Sequence, residues 1–160
     1  MIKIKTYFVF IMLFCLFSLF GCGSQSLRSK VRFPDYLPEG LIITNYKDAD
    51  IVVAILIDEI ELSSKESIYS DSGKLGYAMF VYKGNVFHTY KGNLEKGTIL
   101  FKHLQEHDEG LIERANEQRS SKIVFLKRGN KKAEYVAPQF TVFSYTEELH
   151  LALIEYSKNE

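Results

Sequence analysis

Thiols, prolines and tryptophan are scarce here: the 160-residue chain has two cysteines, three prolines and no tryptophan. Both cysteines, Cys15 and Cys22, fall within the first 22 residues. Beyond them no disulfide framework and no cysteine-ligated metal site can form. An excess of one charge is also lacking, with 20 Lys+Arg against 20 Asp+Glu. That balance argues against a general polyanion binder, so no nucleic-acid partner is expected. No Ser-His-Asp spacing, phosphate loop or calcium loop is visible, and carboxylate pairs such as Asp58-Glu59 are unspecific. No cofactor is expected. Only one apolar run approaches membrane length, and it lies at the N-terminus.

That run extends from Tyr7 to Phe20, is broken only by Ser18, and follows a basic head of Lys3 and Lys5. As a helix it would span about 21 Å, against about 30 Å of bilayer hydrocarbon. It is short for a transmembrane anchor and suits the apolar region of a secretory signal peptide. Residues 1–21 are therefore read as the signal and 22–40 as a tether. Residues 41–160 are long enough for one domain that needs no staple. Gly23 to Lys30 is small, polar and serine-rich, a flexible spacer of at most about 26 Å. Pro34, Pro38 and Gly40 then predict an extended, irregular entry.

Leu19-Phe20-Gly21-Cys22 resembles the lipobox of bacterial lipoproteins. The resemblance implies that Cys22 is the lipidation site: its thiol receives a diacylglyceryl group, the chain is cut between Gly21 and Cys22, and the new amine is acylated. Two or three acyl chains hold a protein on a membrane where one does so only marginally. Residue 23 is glycine, not the aspartate associated with inner-membrane retention. In a double-membrane bacterium the expected place is the outer membrane, facing the periplasm. In a single-membrane bacterium it is the outer face of the cell membrane.

One helical turn is expected in Leu41–Asp50. Ile51 to Leu62 then opens as a continuous β-branched run and turns amphipathic at Asp58. Its first half should be buried on both faces and its second half on one. Twelve residues reach about 40 Å, more than a domain of this size measures across, so the strand must bend, and Asp58-Glu59 is the expected place. Strands of small barrels bend in this way. Residues 63–74 (SSKESIYSDSGK) read as a polar loop. Leu75 to Tyr90 is a second long strand, interrupted at Gly84-Asn85 by a tight turn or a glycine bulge. Strands follow at 97–103 and 122–127, with a short helix between them, then one or two more over 133–143, broken at Pro138. Ser144-Tyr145-Thr146-Glu147 fits a capping box with Ser144 as N-cap. The helix it opens carries Leu149, Ala152, Leu153 and Tyr156 as an apolar stripe that should cover one face of the barrel.

Four segments together are similar to the netrin-like domain, the OB-type barrel of tissue inhibitors of metalloproteinases. They are Ala49–Ala54, Tyr77–Tyr90 with Lys91-Gly92, Gly97–Ile99 and Ile123–Leu126. The resemblance covers roughly residues 48–143. It implies a mainly β fold: a small, OB-like, five- to six-stranded antiparallel barrel with a short helix after the third strand and a helix at the C-terminus. The family's inhibitory mechanism does not carry over, because it uses a free N-terminal cysteine amine held by disulfides.

His103-Leu104-Gln105-Glu106-His107 matches H-x-x-E-H, in which two imidazoles on one helical face bind zinc and a glutamate activates water. His103 and His107 are thus the candidate metal ligands of an alternative reading, a small zinc-dependent hydrolase. Strand-like sequence before His103 and Gly110 after it speak for a strand end instead. Lys127, Arg128, Lys131 and Lys132 gather at a turn, suited to anionic headgroups or glycans or simply to solvent. Tyr77, Phe80, Tyr82, Phe87 and Tyr90 could stack bases but suit a core better. His88 and His150 stand alone. The expectation is a membrane-anchored, non-catalytic module that binds another envelope or secreted protein, as an inhibitor or immunity protein or as an envelope-assembly component. Its contacts are expected on the barrel rim or the 63–74 loop.

Overall fold

The computed structural model describes residues 31–69, 75–106, 110–117, 119–130 and 134–160. Gly21, Cys22 and the rest of residues 1–30, on which the signal and spacer expectations fall, lie outside the described residues.

Helix α1 (Glu39–Asp48) leads into strand β1 (Ile51–Tyr69). Next come β2 (Leu75–Lys91), β3 (Gly97–Glu106), helix α2 (Leu111–Glu117) and β4 (Ser120–Arg128). The short strands β5 (Tyr135–Ala137) and β6 (Val142–Ser144) precede helix α3 (Glu147–Lys158). The fold is mainly β, and its six strands form one mixed sheet. β1 is antiparallel to both β2 and β4, β2 to β3, and β4 to β5. β3 and β5 run parallel. Five strands are therefore bonded in a closed ring, β1-β2-β3-β5-β4, and β6 is also paired with β4.

The hydrophobic sequence of β1 explains how it serves two layers. Ile51, Val53, Ile55 and Ile57 point into the ring, with Phe80, Tyr82, Val86, Ile99, Phe101, Val124 and Leu126. Val52 and Ala54 point outward and join Ile123 and Phe125 of β4 beneath α1 and α3. This explains why the first half of β1 has no polar position. At Asp58 the register slips: Ile57 pairs with Gly84, and Glu59 pairs with the next residue, Lys83. The extra residue reverses the alternation, so Ile60 points inward where Glu59 otherwise would. Asn85 Nδ2 and Arg119 Nε both reach the Asp58 carboxylate. The bend expected at Asp58-Glu59 is this bulge.

α1 buries Ile42 and Tyr46. α3 buries Leu149, Ala152 and Leu153, the stripe read from the sequence, on the outer side of β1 and β4. Tyr156 is partly buried between the rings of Phe33 and Tyr46.

Several expectations are corrected. The ring is not wholly antiparallel, because β5 meets β3 in parallel. β1 continues through Tyr69, so residues 63–69 are strand rather than loop; residues 70–74 lie outside the described residues. Gly84-Asn85 makes no turn: β2 runs straight through it, and the bulge sits opposite, in β1. Ser144 ends β6, and the N-cap of α3 is Thr146, whose side chain accepts a hydrogen bond from Leu149 N–H. The single turn expected before β1 is a ten-residue helix. Residues 31–38, read as part of the tether, carry the buried Phe33.

Candidate functional site

α1 and α3 cover the β1–β4 side of the ring. The outward side chains of β1 beyond the bulge, β2 and β3 make a different surface. The ladder aligns them in rows: Glu59–Lys83–Leu100, Glu61–Val81–Lys102, Ser63–Met79–Leu104 and Tyr77–Glu106. Directly opposed side chains on one face of a sheet interact, so each row is a unit. Lys83 Nζ lies 3.2 Å from Glu59 Oε2, and Lys102 Nζ lies 3.4 Å from Glu134 Oε1. The central cations are thus paired sideways. Between them runs a diagonal of apolar groups in which Leu100 is 55% and Tyr77 41% exposed. Val81, Met79 and Leu104 are half-buried around them. Exposed Glu61, Glu95 and Glu106 edge the face.

Two hollows adjoin on this face. One, of about 320 Å³, is lined by Lys83, Leu94, Glu95, Gly97, Thr98, Ile99, Leu100 and Tyr135. The other, of about 280 Å³, is lined by Glu59, Glu61, Val81, Lys83 and Leu100. Lys83 and Leu100 form the ridge they share. Thr98 Oγ1 donates to Asn85 Oδ1 at 2.9 Å, which fixes one end of the face.

The H-x-x-E-H segment lies on a strand as far as it is described. His103 is buried and points into the ring, with its Nδ1 2.9 Å from the Ala137 carbonyl oxygen. The carbonyl accepts, so the proton sits on Nδ1. Burial lowers the His103 pKa, and the Ala137 hydrogen bond opposes the shift. Glu106 is exposed and pairs with Tyr77 on the opposite face. The helical face the zinc motif needs is not formed by His103 and Glu106, and His107 lies outside the described residues. Among the described residues no three His, Cys, Asp or Glu side chains gather as a metal centre.

Lys127 and Arg128 are exposed at the end of β4, where Arg128 N–H donates to Asp50 Oδ2. Lys131 and Lys132 lie outside the described residues. The five aromatics, expected in the core rather than on a stacking platform, do not share a face. Phe80 and Tyr82 are inside the ring, where Tyr82 stacks on Phe101 at 5.0 Å. Tyr90 belongs to the outer layer, and Tyr77 and Phe87 are exposed.

His88 and His150 do not stand alone. Their rings meet edge to face at 5.0 Å, one from β2 and one from the first turns of α3. Tyr90 Oη lies 2.6 Å from His150 Nδ1, and Tyr145 packs on His150 at 5.4 Å. Burial, then His150, then Lys96 lower the His88 pKa. Burial raises Tyr90, aided by Tyr145 and Glu147, so the phenol stays protonated. Sixty-two residues separate the two histidines, and no sequence signal joins them; only the ladder and the helix path do.

No known protein family, no curated protein and no solved structure matches this chain.

Proposed function

We propose that the chain is a lipid-anchored extracytoplasmic module that binds another protein through the outer face of β2 and β3 and performs no chemistry there. The observation that carries this reading is the solvent-open Leu100–Tyr77 diagonal, whose neighbouring lysines are already paired with Glu59 and Glu134. A surface that leaves a leucine and a tyrosine in water while its cations satisfy their own neighbours suits an apolar, shape-matched partner better than a charged small molecule. The two hollows beside the Lys83–Leu100 ridge suit two anchoring side chains of that partner. His103 and Glu106 lie on opposite faces of one strand, which favours binding over metal-assisted hydrolysis.

The ring is read as an OB-type barrel, in line with the netrin-like resemblance. Supporting this are the closed order β1-β2-β3-β5-β4, the parallel β3–β5 closure and a helix between β3 and β4. Attachment through Cys22 rests on the sequence alone. An inhibitor or immunity protein and an envelope-assembly component both fit this reading.

A photoreactive amino acid at position 100 of the full chain, in the cell that makes it, tests the binding face. The expected result is one dominant protein adduct that disappears with Val81→Asp. Adducts spread evenly over the surface would refute the assignment. For the anchor, intact-mass analysis of the native protein should find a triacylated or diacylated chain beginning at Cys22. An unmodified Cys22 would refute that part alone.

A further inference from the structure

Phe140 breaks two local rules at once. It is the most exposed large hydrophobic residue among the described residues, at 67%, and its φ is +61°. A bulky side chain in the left-handed region is unfavourable, and turns that need this conformation take glycine or asparagine. Burial does not offset the strain, because the ring contributes nothing to either core layer.

The turn that carries it is nonetheless held firmly. Asn45 Nδ2 of α1 donates to the Phe140 carbonyl oxygen at 2.8 Å. Phe125 N–H of β4 donates to the Thr141 carbonyl oxygen at 3.0 Å. The Thr141 hydroxyl, itself buried, donates to the Pro138 carbonyl oxygen. Two bonds from α1 and β4 and one within the turn thus fix a strained backbone that holds a phenyl ring in water. Strain kept without structural return marks a site of contact, and fixing the ring in advance lowers the ordering cost of binding.

Beside the turn lies a small hollow of about 90 Å³, bordered by Asn45, Asp48, Lys127 and Gln139. Both charge signs and two amides edge it. That mixture does not suit an anionic bilayer or a nucleic acid, since Asp48 would face the phosphates. It suits a protein surface with an apolar slot for the ring and a polar side chain for the hollow. We propose that Phe140 is a preformed anchor for a protein partner, a second contact apart from the β2–β3 face. It rests on the protein-binding reading above but not on the location of that face.

The test has two arms in the full chain. Phe140→Asn should leave the melting temperature unchanged or raise it, because asparagine tolerates the left-handed region. A fall of more than about 4 °C would show that the ring is structural and overturn the proposal. Benzoylphenylalanine placed at 140 in the native cell should give a protein adduct at least fivefold above the same probe at Leu151, which is 55% exposed. Asn45→Ala, which frees the turn, should reduce the yield at 140 severalfold. Lipid adducts only, a yield equal to that at Leu151, or a yield indifferent to Asn45→Ala would each overturn it. If position 100 crosslinks to a protein and position 140 does not, the anchor fails while the binding reading stands. If neither does, both fail.

Discussion

Replacing Gly84 with alanine tests the central geometric claim of this fold, that β1 and β2 are pressed together at the Asp58 bulge. Gly84 faces into the ring. A Cβ there would lie 2.9 Å from Ile55 Cγ1 and 3.0 Å from Ile55 Cδ1, and would press against the Leu56 carbonyl oxygen. Ordinary carbon contacts sit near 3.5–4.0 Å. Ile55 is fully buried and has nowhere to rotate, and the carbonyl belongs to the ladder, so β1 itself must shift. Overpacking a full core costs about 1–3 kcal/mol, and disturbing one ladder hydrogen bond adds about 1 kcal/mol. The expected loss is about 2–4 kcal/mol. For a domain of this size that is roughly 8–15 °C in melting temperature. Thermal melting followed by circular dichroism measures it, with Gly40→Ala as the control. Gly40 lies in α1 with nothing within 4 Å of its missing Cβ, and there the change should stabilise by about 0.5–1 kcal/mol. If Gly84→Ala melts within about 2 °C of the parent, or if both substitutions cost the same, the close approach at the bulge is wrong.

Acid should weaken the fold. His88 and His103 both have lowered pKa values, so the unfolded chain binds their protons first. Their contribution is whole above the unfolded value near pH 6.5 and is lost as the pH falls below it towards the folded values. The melting temperature should drop between pH 7.5 and 5, and His88→Gln should shrink the drop; a flat profile would contradict it. Thr146→Ala removes the cap of α3 and should cost about 1 kcal/mol in urea unfolding, whereas Ser144→Ala should cost little. Leu100→Asp should leave stability nearly unchanged, because the side chain is exposed, yet abolish co-purification of the partner with the full chain; a partner recovered undiminished would count against the binding face. Cys22→Ser should move the chain out of the membrane fraction, while a chain that stays there would be held by something else.

The sequence revealed what depended on local patterning. The both-faces burial of Ile51–Ile57, the bend at Asp58 and the stripe Leu149-Ala152-Leu153 were legible because each is a shift in apolar periodicity. The length of β1 was not legible. Residues 63–69 are polar and serine-rich, and they form strand because β2 lies alongside. Pairing supplies what side-chain propensity does not. The parallel β3–β5 contact was hidden for a similar reason: two residue pairs leave no periodic trace. Thr146 and Ser144 are equally good caps on paper, and β6 decides between them by claiming Ser144. Of the candidate site, Tyr77 could be named from sequence as an aromatic in a strand, whereas Leu100 could not. Its exposure follows from which side of the ring the helices cover, and that is a property of the whole path. The same holds for His88 and His150, and for Phe140, whose φ carries no sequence mark.

The two shortest seams of the ring, both made by β5, set how it comes apart. β5 pairs with β3 through Lys102–Val136 and His103–Ala137 and with β4 through Lys127–Val136 and Arg128–Tyr135, and the His103 imidazole fastens the first of these by holding the Ala137 carbonyl. Every other neighbouring pair in the circle has an antiparallel partner, and β1–β2 is the longest. The circle should therefore unclasp at β5 before any other strand, leaving a curled but unbroken ribbon of β3, β2, β1 and β4. In folding, the same clasp is expected to shut last, because its seam with β3 repays the closure of a non-local loop with only two residue pairs.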